Sequence, residues 1–234
     1  MVEEKIIMKI GGSLLFDSDM QVRKENIFSF IDFIKNKVEK IEAVVIGGGK
    51  LARLFISVVT SKKSNQAIGD LFGIKVSRLN ALTLATLAGS RVAYQAIPTS
   101  IEEVLRVKSL LPDKIMFLGG LEVGQSTTSV ACEVAEALGT RMLVIGTDVD
   151  GIYTKDPDAY PDAEKLDEVT LAELRKILGI DGGENQAAGE YRILDAVSSS
   201  IIMRSGLRVR VVKGDVEVLE AAIKGGDVGT LIKA

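Results

Sequence analysis

Short apolar runs alternate along the chain with longer segments in which apolar residues recur every three or four positions. The runs KIIMKI, EAVVI, AYQAI, KIMFL, RMLVI and RVRVV have the composition of buried strands. Helical spacing marks the longer segments, at residues 23 to 41, 67 to 90, 100 to 111, 128 to 139 and 191 to 205. GGGKLARLF, LAELRKILG and the segment before GTLIKA are predicted to add helices. This alternation predicts an α/β fold, a three-layer α/β/α sandwich around a mostly parallel central sheet.

Composition narrows the class of protein. A chain of 234 residues, 47% of them hydrophobic, can bury a sizeable core as one large domain or two small ones. A net charge of −3, with 5% aromatic residues and no tryptophan, argues against nucleic-acid binding. No run approaches the roughly 20 apolar residues of a membrane span, and MVEEKIIMKIGGS does not have the pattern of a signal peptide. We therefore expect a cytoplasmic protein that does not bind membranes.

Cysteine and histidine usage excludes several kinds of catalysis. Cys132 is the one cysteine, which excludes an intramolecular disulfide and fits a reducing compartment. Because the chain has no histidine, Ser-His-Asp and Cys-His catalysis and most zinc sites are excluded. With no histidine to activate it, Cys132 is interpreted as a small buried apolar residue.

Glycines follow three of the predicted strands directly. They form the segments Gly11-Gly12-Ser13, Gly47-Gly48-Gly49 and Gly119-Gly120, and Gly49 and the region of Thr127 also begin predicted helices. In a parallel α/β sheet, ligands bind beyond the carboxyl ends of the strands. Glycine loops expose backbone N–H groups there, and helix N-termini add partial positive charge. The pattern predicts a phosphate-binding edge.

The glycine segments differ from two known phosphate-binding motifs. No window of the chain has the G-x-x-x-x-G-K-[ST] pattern of a P-loop. Gly47, Gly49 and Ala52 give G-x-G-x-x-A after a strand, and Asp70 follows at about the spacing of a dinucleotide-binding acid. Asp70 lies in GDLFGI, however, which is interpreted as a loop entering a helix rather than as the end of a second strand. The dinucleotide interpretation is therefore weak.

Lys9 stands in the strand KIIMKI, between Met8 and Ile10 and just before the first glycines. A lysine in an apolar strand is usually an edge or surface residue. Beside a phosphate-binding loop, the same lysine can place a cation on transferring phosphoryl oxygens. Both interpretations stand from the sequence.

VIGTDVDGIYTKDP contains three aspartates that suggest a metal site, a turn or the rim of a pocket. Its spacing excludes a calcium loop of the EF-hand type. Counted from Asp148, position 6 is Tyr153 rather than glycine and position 12 is Ala159 rather than glutamate. Asp150 and Gly151 are interpreted as a turn capped by the aspartate, and Asp148 as a loop or solvent-facing residue.

Taken together, these segments resemble the amino acid kinase family. KIGGS, IGGGKLAR, GDLFGI, the glycine pair followed by GQST, and TDVDGIYTKDP occur in the order found in that family and cover essentially the full chain. GDLFGI with GQST, GEYRILD and IIMRSGLRVRVV are similar to its archaeal uridylate kinase branch. The resemblance implies one domain over residues 1 to 234, with a UMP-binding half over roughly 1 to 135 and an ATP-binding half over roughly 136 to 234.

The same resemblance implies direct transfer of the γ-phosphoryl group from ATP, bound with Mg²⁺, to UMP, giving UDP. Lys9 is the implied catalytic residue, and no general base is needed because the phosphate of UMP is already a nucleophile. The implied ATP-binding residues are Gly12, Ser13, Gly49, Arg53, Thr147, Tyr153 and Asp156. The implied UMP-binding residues are Gly48, Asp70, Leu121, Glu122, Val123, Gly124, Gln125, Ser126 and Thr127. Protein ligands for the metal are not expected.

Two positions depart from the family pattern. Many relatives carry T-T-D at the start of the helix after the second glycine pair, whereas this chain has Ser126-Thr127-Thr128, with no acid. Archaeal relatives often carry a lysine where this chain has Ser200. Lys9 is therefore the one residue to which the resemblance assigns catalysis.

Other functions and the assembly state remain open from the sequence. Alternatives are a non-catalytic nucleotide or oxyanion sensor of the same fold, or a kinase of another small phosphate acceptor such as isopentenyl phosphate. The resemblance implies a homo-oligomer, a homohexamer. The apolar helix predicted over residues 27 to 41 fits such an interface, and equally fits packing on its own sheet.

Overall fold

One seven-stranded sheet organises the residues that the computed structural model describes, which are 5–17, 19–60, 65–155, 160–177 and 193–234. Its strands are β1 (Ile6–Ile10), β2 (Ile41–Ile46), β3 (Met116–Leu118), β4 (Met142–Thr147), β7 (Glu168–Thr170), β8 (Arg208–Lys213) and β9 (Thr230–Lys233). A separate antiparallel pair consists of β5 (Ile152–Tyr153) and β6 (Lys165–Leu166). The helices are α1 (Lys24–Lys35), α2 (Gly49–Thr60), α3 (Gln66–Ala88), α4 (Ile101–Leu110), α5 (Thr127–Leu138), α6 (Leu171–Ile177), α7 (Ala196–Ser205) and α8 (Val216–Ile223).

The strand order of the main sheet is β3-β2-β1-β4-β8-β9-β7. The first five strands in this order run parallel, β9 is antiparallel to β8, and β7 is parallel to β9. The predicted α/β fold with a mostly parallel sheet is confirmed. The chain adds β2 and then β3 on one side of β1, and afterwards crosses to the other side to add β4. The direction in which strands are added to the sheet therefore reverses beside β1. Ligands of parallel sheets bind at such a reversal.

Helices cover both faces of the sheet, which explains why the strands are continuous apolar runs rather than alternating ones. On one face α4, α5, α6 and α7 bury the side that includes Ile7, Val45 and Ile145. On the other face α1, α3 and α8 bury the side that includes Met8 and Val144. Among the described residues, every helix is too short or too polar to span a bilayer.

Three predicted elements differ from the structure. The helix expected over 23 to 41 ends at Lys35, where the Asn36 amide caps the Asp32 carbonyl oxygen at 2.9 Å, and Ile41 instead begins β2. AYQAI is not a strand, because Ala93 forms only a single parallel bridge, to Ile115. The last long helix begins at Ala196 rather than at 191, and residues 191 and 192 lie outside the described part.

The sequence patterns did not predict the short strands β5, β6, β7 and β9. These strands have two to four residues each, too few for an apolar period to be recognised. The predicted apolar stripe of α1 packs on its own sheet, with Phe30 and Ile34 fully buried. α1 therefore does not offer that stripe to another copy of the chain.

Candidate active site

Three glycine loops meet at the carboxyl edge of the parallel strands. We call them the first glycine loop (residues 11 to 13, after β1), the second (47 to 49, after β2) and the third (119 to 126, after β3). Backbone hydrogen bonds extend the sheet into the first two: Gly11 donates to the Gly146 carbonyl oxygen at 3.1 Å, and Gly47 donates to that of Ile10 at 2.8 Å. The loops are therefore held in register with the strands.

The first and second glycine loops touch backbone to backbone. A Cβ atom on Gly12 would lie 2.4 Å from the Gly49 nitrogen and 2.8 Å from the Gly47 carbonyl oxygen, which leaves no room for any other residue. Gly49 has a φ of +62°, a conformation that favours glycine, and it begins α2. The contact therefore joins two loops without side chains to a helix N-terminus, a combination that suits phosphate oxygens.

Two further residues predicted to bind ATP lie beside this contact. Ser13 is half-buried within the first glycine loop, and its Oγ would lie 3.3 Å from a Cβ on Gly11. Arg53 is exposed on α2, four positions after Gly49 and therefore on the same side of the helix. Both side chains are thus free to face a ligand at the carboxyl edge.

Lys9 lies in the centre of the sheet and not on its surface. β1 is flanked by β2 and β4, and Lys9 is paired in register with Val45 and Ile145. The side chain is 2% exposed and, like that of Ile7 two positions earlier, belongs to the face covered by α5 and α7. The edge or surface interpretation of this lysine is therefore wrong. A buried cation two residues before the first glycine loop is the arrangement expected for binding phosphoryl oxygens.

The N-terminus of α5 adds backbone donors to the same edge. Ser126 caps the helix by accepting from the Ser129 N–H at 3.1 Å. Thr127 begins the helix, and its Oγ1 would lie 3.6 Å from a Cβ on Gly47, so it borders the second glycine loop. Thr128, at the place of the missing family acid, is 2% exposed, and the first turn contains no acidic residue. This helix end can therefore stabilise negative charge.

Asp195 is a residue of this region that the sequence patterns did not identify. It caps α7 through a reciprocal capping box with Ser198, and its carboxylate also accepts from the Ser129 Oγ at 2.7 and 2.8 Å. Asp195 thus ties the N-terminus of α7 to that of α5. LDAVSSS contains the capping signal, but nothing local indicates the contact with Ser129. Ser200, at the place of the second family lysine, is exposed and donates to the Ala196 carbonyl oxygen at 2.9 Å.

The electrostatics of Asp195 yield a stability prediction. Burial alone would raise the pKa of this carboxyl, but hydrogen bonds from Ser126, Ser129 and Ser198 outweigh it and hold the pKa below its usual range. A depressed pKa in the folded state contributes stability above the unfolded value, and that stability is lost as pH falls through the folded value. We expect Asp195→Asn to lower the free energy of unfolding at pH 7 by about 1 to 3 kcal/mol.

Urea unfolding between pH 7 and pH 3 measures this effect, with Asp113→Asn as the control for loss of one exposed carboxylate. The difference between Asp195→Asn and the natural protein should shrink as the pH falls below about 3.8, the ordinary carboxyl value. A difference that stays constant over this range would contradict a stabilising carboxylate.

The third glycine loop contains most of the predicted UMP-binding residues. Glu122, Val123 and Gly124 are exposed, whereas Leu121 is buried at 6%. The Gln125 Nε2 donates to Glu133 at 2.6 Å, and its Oε1 is buried without a hydrogen-bond partner among the described residues. Burial raises the pKa of Glu133, against the hydrogen bond from Gln125, which lowers it.

Asp70 joins this loop to α3 and lies inside that helix. The helical spacing over 67 to 90 is confirmed, and the interpretation of GDLFGI as a loop is wrong. Asn65 caps α3 by accepting from the Ile68 N–H at 3.1 Å, so the helix begins before GDLFGI. The Asp70 Oδ2 accepts from the Gly124 N–H at 2.9 Å. Because Asp70 does not follow a strand, the dinucleotide-binding interpretation is wrong.

The aspartates in the segment after β4 have different surroundings and do not act as one group. Thr147 is 5% exposed at the end of β4 and donates to Asp148 at 2.9 Å, while Asp148 itself is exposed. The Tyr153 hydroxyl donates to Asp150 at 2.8 Å, and this hydrogen bond raises the pKa of the phenol. Asp150 is therefore connected to β5 through Tyr153, whereas the capping of a turn by its side chain stays a prediction. Asp156 lies outside the described residues.

The described part of the chain has neither a preformed cluster of metal ligands nor an accessible thiol. No group of three acidic, cysteine or histidine side chains there comes close enough to hold a metal ion. Cys132 is fully buried on α5, and burial raises the pKa of its thiol. The interpretation of Cys132 as a core residue is confirmed.

Two touching glycine loops, two helix N-termini and a buried lysine at one sheet edge define an α/β protein built to bind phosphate groups. The model of the amino acid kinase family matches residues 4–213. The chain belongs to the amino acid kinase family.

Curated relatives and solved structures show which members of the family this chain is similar to. A uridylate kinase of Thermofilum pendens is 38% identical over 214 residues, 89% of this chain and 88% of that protein. A uridylate kinase of Methanocaldococcus jannaschii is 36% identical over 231 residues, 98% of this chain and 99% of that protein. The crystal structure of a uridylate kinase from Archaeoglobus fulgidus has a TM-score of 0.81 at 29% identity, covering 97% of this chain and 99% of that one. A UMP kinase structure from Ureaplasma parvum, at 17% identity and a TM-score of 0.81 over both full chains, shares the fold.

Proposed function

We propose that this protein is an ATP-dependent UMP kinase that transfers the γ-phosphoryl group of ATP to UMP, giving UDP for pyrimidine nucleotide synthesis. Near full-length likeness to uridylate kinases carries the proposal. The buried Lys9 beside two touching glycine loops supplies the chemistry that such a transfer needs. The acceptor phosphate is itself the nucleophile, so positioning and charge neutralisation are sufficient without histidine.

The two substrates divide the carboxyl edge of the sheet between them. In this proposal ATP lies over the first glycine loop, with Gly12, Ser13, Gly49 and Arg53 at its phosphates and Thr147, Tyr153 and Asp156 at its nucleoside end. UMP lies over Gly48, Asp70 and the third glycine loop. The reacting groups then meet near the point where Gly12, three residues after Lys9, contacts Gly49. ATP then extends from the proposed ATP-binding half, roughly 136 to 234, onto the first two glycine loops, which belong to the proposed UMP-binding half, roughly 1 to 135.

Mg²⁺ would enter with ATP in this scheme. Magnesium is often held by substrate phosphates and few protein carboxylates, and the described residues present no preformed acidic group of three. The ion would neutralise charge on the phosphates when bound. Lys9, the backbone N–H groups of the glycine loops and the α5 N-terminus would orient and stabilise the same phosphates.

The proposed assembly is a homohexamer in the cytoplasm. An exposed apolar stripe on α3 supports contact between copies, because Leu71, Leu79 and Leu82 are 42%, 57% and 41% exposed on one side of the helix. Leu54 and Val58 on the adjoining α2 are also exposed. Light scattering after size-exclusion chromatography measures the number of copies directly.

An ATP-consumption assay with UMP, CMP, AMP and isopentenyl phosphate tests the proposed reaction. We expect turnover with UMP that requires Mg²⁺. Turnover with isopentenyl phosphate and none with UMP would overturn the substrate assignment. No turnover with any acceptor, together with nucleotide binding in calorimetry, would favour a sensor of the same fold.

Asp70→Asn tests where UMP binds. An ionised carboxylate only accepts hydrogen bonds, which suits ribose hydroxyls, and Asp70 also holds the loop through the Gly124 N–H. We expect the KM for UMP to rise about tenfold or more while the KM for ATP changes little, because the first glycine loop is untouched. Steady-state kinetics with each substrate varied in turn measures both constants, and equal losses for the two substrates would contradict the division of the site.

A further inference from the structure

One helix, α3, binds both the second and the third glycine loops through its side chains. Asn80 donates from Nδ2 to the Gly47 carbonyl oxygen at 3.0 Å. Arg78 donates from Nε to the Gly120 carbonyl oxygen at 2.8 Å and from Nη2 to that of Leu121 at 3.1 Å. Two loops that follow different strands are therefore fixed to the same rigid element.

The third glycine loop is held to α3 with almost no freedom. Ser77 accepts from the Gly120 N–H at 2.9 Å, so both backbone polar groups of Gly120 are bound by neighbouring side chains of α3. A Cβ atom on Gly119 would lie 2.4 Å from the backbone nitrogen of Arg78, which shows that the loop lies directly on the helix backbone. Asp70 then binds the far part of the loop through the Gly124 N–H.

The burial of the Ser77, Arg78 and Asn80 side chains indicates whether each one acts on the loop backbone. Asn80 is 3% exposed and Ser77 is 1% exposed, so both work on the loop backbones. Arg78 is half-buried and uses two of its five N–H donors on adjacent carbonyl groups. A guanidinium fork spans two such acceptors in a way that a lysine ammonium cannot reproduce.

We infer that Arg78 and Asn80 are positioning residues, which set the separation of the two substrates by fixing the second and third glycine loops to α3. This inference rests on the proposed function, in which UMP lies between these loops. Arg78 then controls how well the third loop is formed for UMP. The second loop borders Gly12 on the side proposed for ATP and Thr127 on the side proposed for UMP. Asn80 controls the position of the second loop between these two substrates.

Arg78→Lys tests the first part of this inference. The substitution keeps the positive charge but loses the two directed hydrogen bonds, so we expect the KM for UMP to rise about tenfold with the KM for ATP within about twofold. Lys75→Gln is the matched control, because Lys75 is exposed on the same helix and has no described side-chain contact. Unchanged KM values in Arg78→Lys would overturn the inference.

Binding of UMP and of uridine separates positioning from direct contact with phosphate. A loop that wraps the whole nucleotide should lose affinity in Arg78→Lys by a similar factor for both ligands. Affinity lost for UMP but kept for uridine would show that Arg78 contacts the phosphate itself, and would overturn the positioning role. Calorimetry with each ligand measures the two affinities.

Hydrogen exchange in the ligand-free protein tests the inference independently of the substrate. We expect the Gly120 and Gly124 amides to exchange about tenfold faster in Arg78→Lys than in the natural protein or Lys75→Gln. Ser77→Ala, which removes the Gly120 acceptor with little change of volume, should accelerate the same amides. If UMP proves not to be the substrate, this exchange still decides whether α3 holds the loop. Equal exchange in all variants would overturn the inference.

Asn80→Asp tests the second part. The new carboxylate oxygen faces the Gly47 carbonyl oxygen and replaces attraction by repulsion. We expect kcat to fall about tenfold while both KM values stay within about threefold, because the loop shifts between the substrates without losing either. A rise in one KM with kcat unchanged would overturn the assigned role of Asn80.

Discussion

Replacing Lys9 by methionine is expected to lower kcat about 100- to 1000-fold, the usual effect of removing one group that stabilises charge developing in a transition state. Lys9 is 2% exposed in a central strand, and methionine replaces all of its unbranched side chain except the terminal ammonium, so the core should remain filled. The loss should therefore come from the missing cation and not from a cavity. The KM values should change much less than kcat, because the glycine loops and helix N-termini still bind both nucleotides.

Steady-state kinetics with ATP and UMP measures the loss, and thermal unfolding confirms that the variant is folded. Lys5→Met is the matched control. Lys5 precedes β1 at the opposite end of the strand, where its ammonium donates to the Pro112 carbonyl oxygen at 3.3 Å. That variant should keep its kcat. A Lys9→Met protein with near-normal kcat would show that the buried lysine is only a strand residue.

The main parts of the fold could be predicted because their signals are local. Strands that are covered on both faces have sequences that are short apolar runs. The glycines after β1, β2 and β3 indicate the carboxyl edge of the sheet without any information from distant parts of the chain. The position of Lys9 beside Gly11 and Gly12 follows from the sequence alone. Its burial does not, because only the strand order places β1 between two neighbours.

The parts that could not be predicted depend on contacts between distant positions. Asp195 meets Ser129, 66 positions away, and Arg78 meets Gly120, 42 positions away. No pattern within a short window indicates either pair. The loop predicted at GDLFGI failed for a related reason. Gly73 lowers helix propensity, but α3 packs on α2 there, with Val76 against Ala52 and Ile56, so tertiary packing favours a helix.

Gly12→Ala is expected to lower ATP affinity and kcat/KM about 100-fold or more. Its new methyl group would stand 2.4 Å from the Gly49 nitrogen, 2.6 Å from the Gly49 Cα and 2.8 Å from the Gly47 carbonyl oxygen. All three atoms are backbone, so a change of rotamer cannot relieve the overlap, and the two loops must move apart. A displacement of about 1 Å at reacting groups is enough to cost about 100-fold in rate. Calorimetry with ATP and steady-state kinetics measure both losses.

A second glycine variant separates damage to the site from general destabilisation. Gly139 ends α5 with a φ of +69° and nothing within 4 Å of an added Cβ, so Gly139→Ala strains the backbone far from the glycine loops. It should lower stability by about 1 to 2 kcal/mol and leave ATP affinity unchanged. Gly12→Ala should also lower the free energy of unfolding, by about 1 to 3 kcal/mol, because the added methyl group overpacks its surroundings. The two variants should therefore have comparable stability. ATP affinity lost equally in both would trace the loss to unfolding, whereas affinity kept in Gly12→Ala would mean that ATP does not lie where the first two glycine loops meet.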